Sequence, residues 1–145
     1  RISGRTTIDD AADFFTSTKV SSFIITNGAN ELVSWSRGIL FKKSEIIKLP
    51  VSQLITEELR LNPAQKGDTT GCGDNFAGGI IASIAWQLKE REKGYFDLIE
   101  AISWGIASGG FSCFTVGGTF LELFPGEKRK AIQIIQSEYL KQIGY

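Results

Sequence analysis

At 145 residues, 42% of them hydrophobic and 22% charged, the chain is long enough for one globular domain with a sizeable core and too apolar to be disordered. Sixteen basic residues offset sixteen acidic ones, so no net field draws the chain to nucleic acid or to an anionic membrane. It contains no histidine, which removes Ser-His-Asp and Cys-His catalysis and leaves proton transfer to carboxylate, lysine, tyrosine or cysteine.

Thr7, with Asp10 three residues on, predicts a helix cap, and Ile8, Ala11, Ala12 and Phe15 follow at helical spacing. Residues 20–26, rich in β-branched and aromatic side chains, read as a buried strand ended by the turn pair Asn27-Gly28. Three short runs follow, "ELVSWS", "ILFKK" and "EIIKLPV", and predict antiparallel strands or hairpins. Residues 52–66 mix polar side chains with Asn62-Pro63 and are expected to form a loop with at most a short helix.

Phe76, Ile80, Ile84 and Leu88 recur with a period near four, predicting a long helix over 75–90. Gly78 and Gly79 inside it lower helix propensity, by about 1 kcal/mol each, so close packing or close backbone approach is expected to compensate. A second helix is expected over 96–114, with Leu98, Ile99, Ile102 and Ile106 on one side, stopping near Gly117-Gly118. A third runs over 127–142, announced by Pro125 and Glu127, and buries Ile132, Ile135 and Tyr139. The overall pattern is α/β without a linker or repeat that would divide it. No apolar run approaches the ~20 residues that span a bilayer, and no signal-peptide pattern opens the chain.

The stretch "GDTTGCGDNFAGG", residues 67–79, places flexible and small residues where the chain turns into a helix. The first turn of a helix offers unpaired N–H groups and the positive end of the macrodipole, so a glycine-lined entry suits an anion. It is not a P-loop, because no lysine followed by Ser or Thr closes it; nor is it a dinucleotide fingerprint, because Phe76 stands where the third glycine belongs. A carboxylate beside preorganised N–H donors is what phosphoryl transfer to an alcohol needs, and Asp74 is that carboxylate; an N-capping role for Asp74 is the alternative, compatible with the first. Cys72 and Cys113 have no metal-binding spacing and read as reduced thiols in a cytoplasmic setting.

Asp68-Thr69-Thr70-Gly71-Cys72-Gly73-Asp74, followed by Phe76 and Gly78-Gly79, closely resembles the Asp-Thr-x-Gly-Ala/Cys-Gly-Asp signature of the ribokinase-like (pfkB-type) carbohydrate kinases. The resemblance implies a three-layer α/β/α fold, of which this chain supplies the C-terminal portion of the sheet with flanking helices. It implies that Gly71, Cys72 and Gly73 form an anion hole for the γ-phosphate of ATP and that Asp74 is the general base. Thr26-Asn27-Gly28 resembles the family's nucleotide-holding Thr-x-Gly element. Residues 100–118, including Ile106 and Ala107, resemble its adenine-flanking helix; the family usually has Asn or His where Ile106 falls, and a core position is the alternative there. Asp68 and Thr70 fall where some members bind a monovalent cation, K⁺, with a capped turn as the alternative.

Nearly the whole chain aligns, but with only the C-terminal half of a family member, and its opening resembles the segment after the family's Asn-x-x-Glu motif for magnesium and phosphate. The chain starts with Arg1 and has no methionine, which suits a piece of a longer protein. The expectation is therefore the nucleotide-binding part of an ATP- and Mg²⁺-dependent kinase acting on a sugar or nucleoside hydroxyl, incapable of turnover alone. Nucleic-acid and membrane partners are not expected, and a homo-oligomer is.

Overall fold

The computed structural model describes residues 3–90 and 94–145. Five α-helices and three strands succeed one another as α1 (Ile8–Thr16), β1 (Ser22–Ile25), β2 (Leu32–Ser36), β3 (Ser44–Leu49), α2 (Gln53–Leu61), α3 (Cys72–Glu90), α4 (Leu98–Ser112) and α5 (Glu127–Gln142), with a 3₁₀ turn at Pro63–Gln65. The architecture is mixed α/β, as expected. It divides into two units, each taken by itself: a sheet unit of Arg1–Val51 with Arg91–Leu98, and a helical unit of Ser52–Glu90 with Ile99–Tyr145.

In the sheet unit, Thr7 caps α1 as the sequence predicts: its Oγ1 accepts from the Asp10 N–H at 3.1 Å and donates to the Asp10 carboxylate at 2.6 Å. The three strands form one antiparallel sheet in the order β1-β2-β3, with Phe23 opposite Trp35 and Val33 opposite Lys48. Central β2 is the buried strand, because Leu32, Val33, Ser34 and Ser36 are nearly inaccessible. The expectation that residues 20–26 form the buried strand is corrected: β1 lies at the sheet edge and is half-buried along its length. Phe15, Phe23 and Trp35 continue the packing as a row of rings 5.7–5.9 Å apart. "ILFKK" is no strand; within it Phe41 makes one parallel bridge to Phe96, flanked by hydrogen bonds from the Lys42 amide to the Phe96 carbonyl and from the Phe96 amide to the Leu40 carbonyl.

The helical unit is built around α4. Residues 101–109 are buried without interruption, so the helix is enclosed on every side and not, as its spacing suggests, on one apolar stripe. Against it α3 sets Phe76 and Ile80 beside Gly105, and Gly79 beside the Trp104 backbone. Ile55 of α2 and Ile132 and Ile135 of α5 join Trp104 and Ala107 in one apolar cluster. The buried polar contact Gln136 Nε2 to Ser103 Oγ, 3.0 Å, ties α5 to α4, and the Ser103 hydroxyl donates its own hydrogen bond to the Glu100 carbonyl. Residues 52–66, expected as a loop, are mostly helix. Ser52 caps α2 by accepting from the Ile55 N–H, and the Gln53 amide donates to Gln142 Oε1 of α5 at 2.9 Å.

α3 begins at Cys72, three residues before the expected start, and its buried face is Gly79, Ile80, Ser83 and Gln87. Leu88, expected on that face, is exposed.

Candidate functional site

Gly71 is the hinge from which the site is built. Its φ of +78° is open to glycine at little steric cost, and it turns the chain so that its carbonyl accepts the first helical bond, from the Asn75 amide at 2.8 Å. A side chain there would also stand 3.1 Å from the Gly118 Cα, so the two glycines let the loop before α3 and the turn after α4 touch through backbone. Asp68 fastens the same two segments. Its Oδ1 accepts from the Thr70 amide at 2.9 Å, and both its oxygens accept from the Gly117 amide at 3.2–3.3 Å. The Gly67 amide donates to the Cys113 carbonyl and the Asp68 amide to the Thr115 carbonyl, which completes the seam.

Three amides at this helix entry, those of Gly71, Gly73 and Asp74, have no hydrogen-bond partner among the described residues, while the Cys72 amide donates to the Thr69 carbonyl at 3.3 Å. Gly73 and Asp74 are exposed, and Gly71 and Cys72 half-buried. The open donors therefore stand together at the positive end of a 19-residue helix, two of the three on exposed residues. Asp74 lies in the first turn of α3, and its carboxylate has no partner among the described residues.

Asp74 also lines a cavity of about 430 Å³ in the helical unit. Trp86 and Trp104, packed edge to face at 4.6 Å, form its aromatic part; Asn75, Glu122, Lys128 and Arg129 bring polar groups to it. The Asn75 side chain organises one side: its Nδ2 donates to the Gly71 and Gly118 carbonyls at 3.0 and 2.8 Å, and its Oδ1 accepts from Lys128 Nζ at 2.8 Å. Arg129 covers the Trp86 ring at 4.3 Å. Two cations thus stand on the cavity that Asp74 enters.

Among the residues singled out from sequence, the structure brings together Asp68, Thr70, Gly71, Cys72, Gly73 and Asp74. Ile106 and Ala107 lie in the core of α4, 7% and 0% exposed. Thr26, Asn27 and Gly28 are exposed at the end of β1, in the sheet unit, where the Asn30 amide closes the turn on the Asn27 carbonyl. Sequence reasoning missed Asn75, Lys128 and the paired tryptophans. Only Asn75, adjacent to Asp74 in a helix's first turn, carried a local signal; Lys128 is 53 residues away and nothing periodic points to it. No group of three or more His, Cys, Asp or Glu is placed to hold a metal ion among the described residues, and no helix there is long and apolar enough to cross a membrane.

Compared with protein-family models and with curated proteins, the chain matches none.

Proposed function

We propose that this chain is the nucleotide-binding part of an ATP-dependent kinase of ribokinase-like, three-layer fold, which phosphorylates a hydroxyl of a sugar or nucleoside. The observation that carries the reading is the cluster of unpaired amides at Gly71, Gly73 and Asp74, with the free Asp74 carboxylate beside them in a cavity.

ATP with Mg²⁺ supplies the transferable phosphoryl group and shields its charge. The three amides receive the oxygens on which negative charge accumulates, aided by the α3 macrodipole. Asp74 accepts the proton of the incoming alcohol, a role that typically contributes 10²–10⁴-fold, so roughly 3–5 kcal/mol of the barrier. Lys128, steadied by Asn75, adds positive charge at the cavity wall. Ile106 and Ala107 shape the adenine-flanking helix from inside in this reading. The Thr70 hydroxyl and the remaining lone pairs of Asp68 are the donors for K⁺. The acceptor-binding half belongs to a longer protein, so the chain alone binds nucleotide without turnover. Self-association and a reducing, cytoplasmic setting complete the proposal.

Two measurements test it. Millimolar ATP with Mg²⁺ should raise the melting temperature of the chain by several degrees, since ligand at 100 times its Kd adds about 2.7 kcal/mol of stability; an unmoved transition overturns the nucleotide site. In the complete enzyme, Asp74→Asn should lower kcat at least ~10²-fold while that thermal protection persists. Near-normal turnover removes Asp74 from the role of base.

A further inference from the structure

Cys72 and Cys113 are the only cysteines of the chain, and their Sγ atoms stand 3.4 Å apart. One opens α3 and the other follows the last residue of α4, 41 positions later. Both are held by main-chain bonds: the Cys113 amide donates to the Gly110 carbonyl, its carbonyl accepts from the Gly67 amide at 2.8 Å, and the Cys72 amide donates to the Thr69 carbonyl. The Cys113 thiol also reaches the Gly109 carbonyl at 3.7 Å. The sulfurs therefore face each other across the seam that joins the glycine loop to the turn after α4.

We propose that Cys72 and Cys113 form a redox modification site, oxidised to an intramolecular disulfide by a small-molecule disulfide of the glutathione class. Cys72, as thiolate after giving its proton to solvent, attacks one sulfur of oxidised glutathione. The reagent's S–S bond breaks, and one glutathione leaves and takes up a proton. Cys113 then loses its proton and attacks the Cys72 sulfur of the mixed disulfide, expelling the second glutathione as a thiol. Two cysteine thiols are oxidised by two electrons and one glutathione disulfide is reduced to two thiols.

The order of attack follows from the surroundings. Burial and the neighbouring Cys72 push the Cys113 thiol up to about 11, so near neutral pH it keeps its proton until Cys72 has reacted. Bond formation requires the sulfurs to approach from 3.4 Å to about 2.05 Å. This displaces the first turn of α3, where Cys72 lies between the open amides of Gly71 and Gly73. Resting on the kinase reading above, the consequence is weaker ATP binding by the oxidised protein, by at least about tenfold, because donors to a charged oxygen lose strength steeply with misplacement.

The folded chain is equilibrated with defined mixtures of reduced and oxidised glutathione, quenched by alkylation and weighed intact, then the measurement is repeated in urea. The expected product is a monomer lighter by two hydrogens, formed with an effective thiol concentration at least about tenfold higher in the folded than in the unfolded chain. An equal or lower value in the folded chain, a persistent glutathione adduct, or an intermolecular disulfide overturns the proposal. Cys113→Ser should stop at the glutathione adduct on Cys72, whereas Cys72→Ser, left with the buried thiol that keeps its proton, should react far more slowly; the folded-against-unfolded comparison needs neither variant to fold. ATP titration of the two forms then separates the readings. A disulfide that leaves ATP affinity unchanged overturns its effect on the loop, whereas a reduced chain that binds no ATP counts against the kinase reading alone, the thiol ratio having judged the disulfide already.

Discussion

Cys113 couples the site to pH as well as to oxidants. Burial first, then the Cys72 sulfur, raises its thiol from 9.0 to about 11, so the folded state retains a proton that the unfolded state has already released. The group's contribution is present below pH 9 and is lost as pH climbs from 9 towards 11. Tyr139, wholly inaccessible, has its hydroxyl pushed by burial well above the ordinary 10.0 and acts in the same direction from about pH 10 upward. Thermal melts should therefore show a falling melting temperature across this range, and Cys113→Ser should remove the part that sets in near pH 9. A profile of unchanged shape in the variant would show that the thiol contributes nothing. Asp68 makes a complementary point: a residue whose motif position suggests a cation also serves as the clasp between Thr70 and Gly117, so Asp68→Ala should loosen the glycine loop whether or not a cation binds there.

Helices and strands were legible where each carried its own signals. Thr7 with Asp10 marked α1, and Pro125, Glu127 and the apolar positions 132, 135 and 139 marked α5 to its observed ends. α2 was not legible because its stability is borrowed: one buried residue, Ile55, packs into a cluster made by α4 and α5, and one of its first amides is satisfied by Gln142. The edge position of β1 was hidden for a related reason, since apolar density does not tell an edge from a centre when the partner strands are equally short. The adjacent glycines of α3 separate two reasons for a helical glycine. A Cβ at Gly79 would stand 2.8 Å from the Trp104 carbonyl carbon and 2.9 Å from the Ser108 side chain, so Gly79→Ala should destabilise by about 1–3 kcal/mol. At Gly78 no atom lies within 4 Å, so Gly78→Ala should stabilise by about 0.5–1 kcal/mol through helix propensity. Urea midpoints for the pair check this, and equal shifts would contradict the packing described for α3 on α4.

At the scale of the whole molecule, 101–109 is the longest unbroken buried stretch among the described residues, whereas Val116, Leu121 and Leu123 on the way to α5 are 79–85% exposed. Hydrogen exchange should rank accordingly, with α4 amides slowest and those of residues 116–125 among the fastest; comparable rates in the two segments would contradict the central place of α4 in its unit. The candidate site was legible only in its contiguous part. The glycine loop and Asp74 are neighbours in sequence, but the groups that complete the cavity come from α4, the 119–126 segment and α5, and only folding assembles them. The bond from the Gln53 amide to Gln142 has a practical corollary for anyone handling this polypeptide. The last turn of α5 is a structural part: cutting the chain after Lys141 would leave an amide at the opposite end of the helical unit's sequence without its acceptor, and should fray α2 even though every residue of α2 is kept.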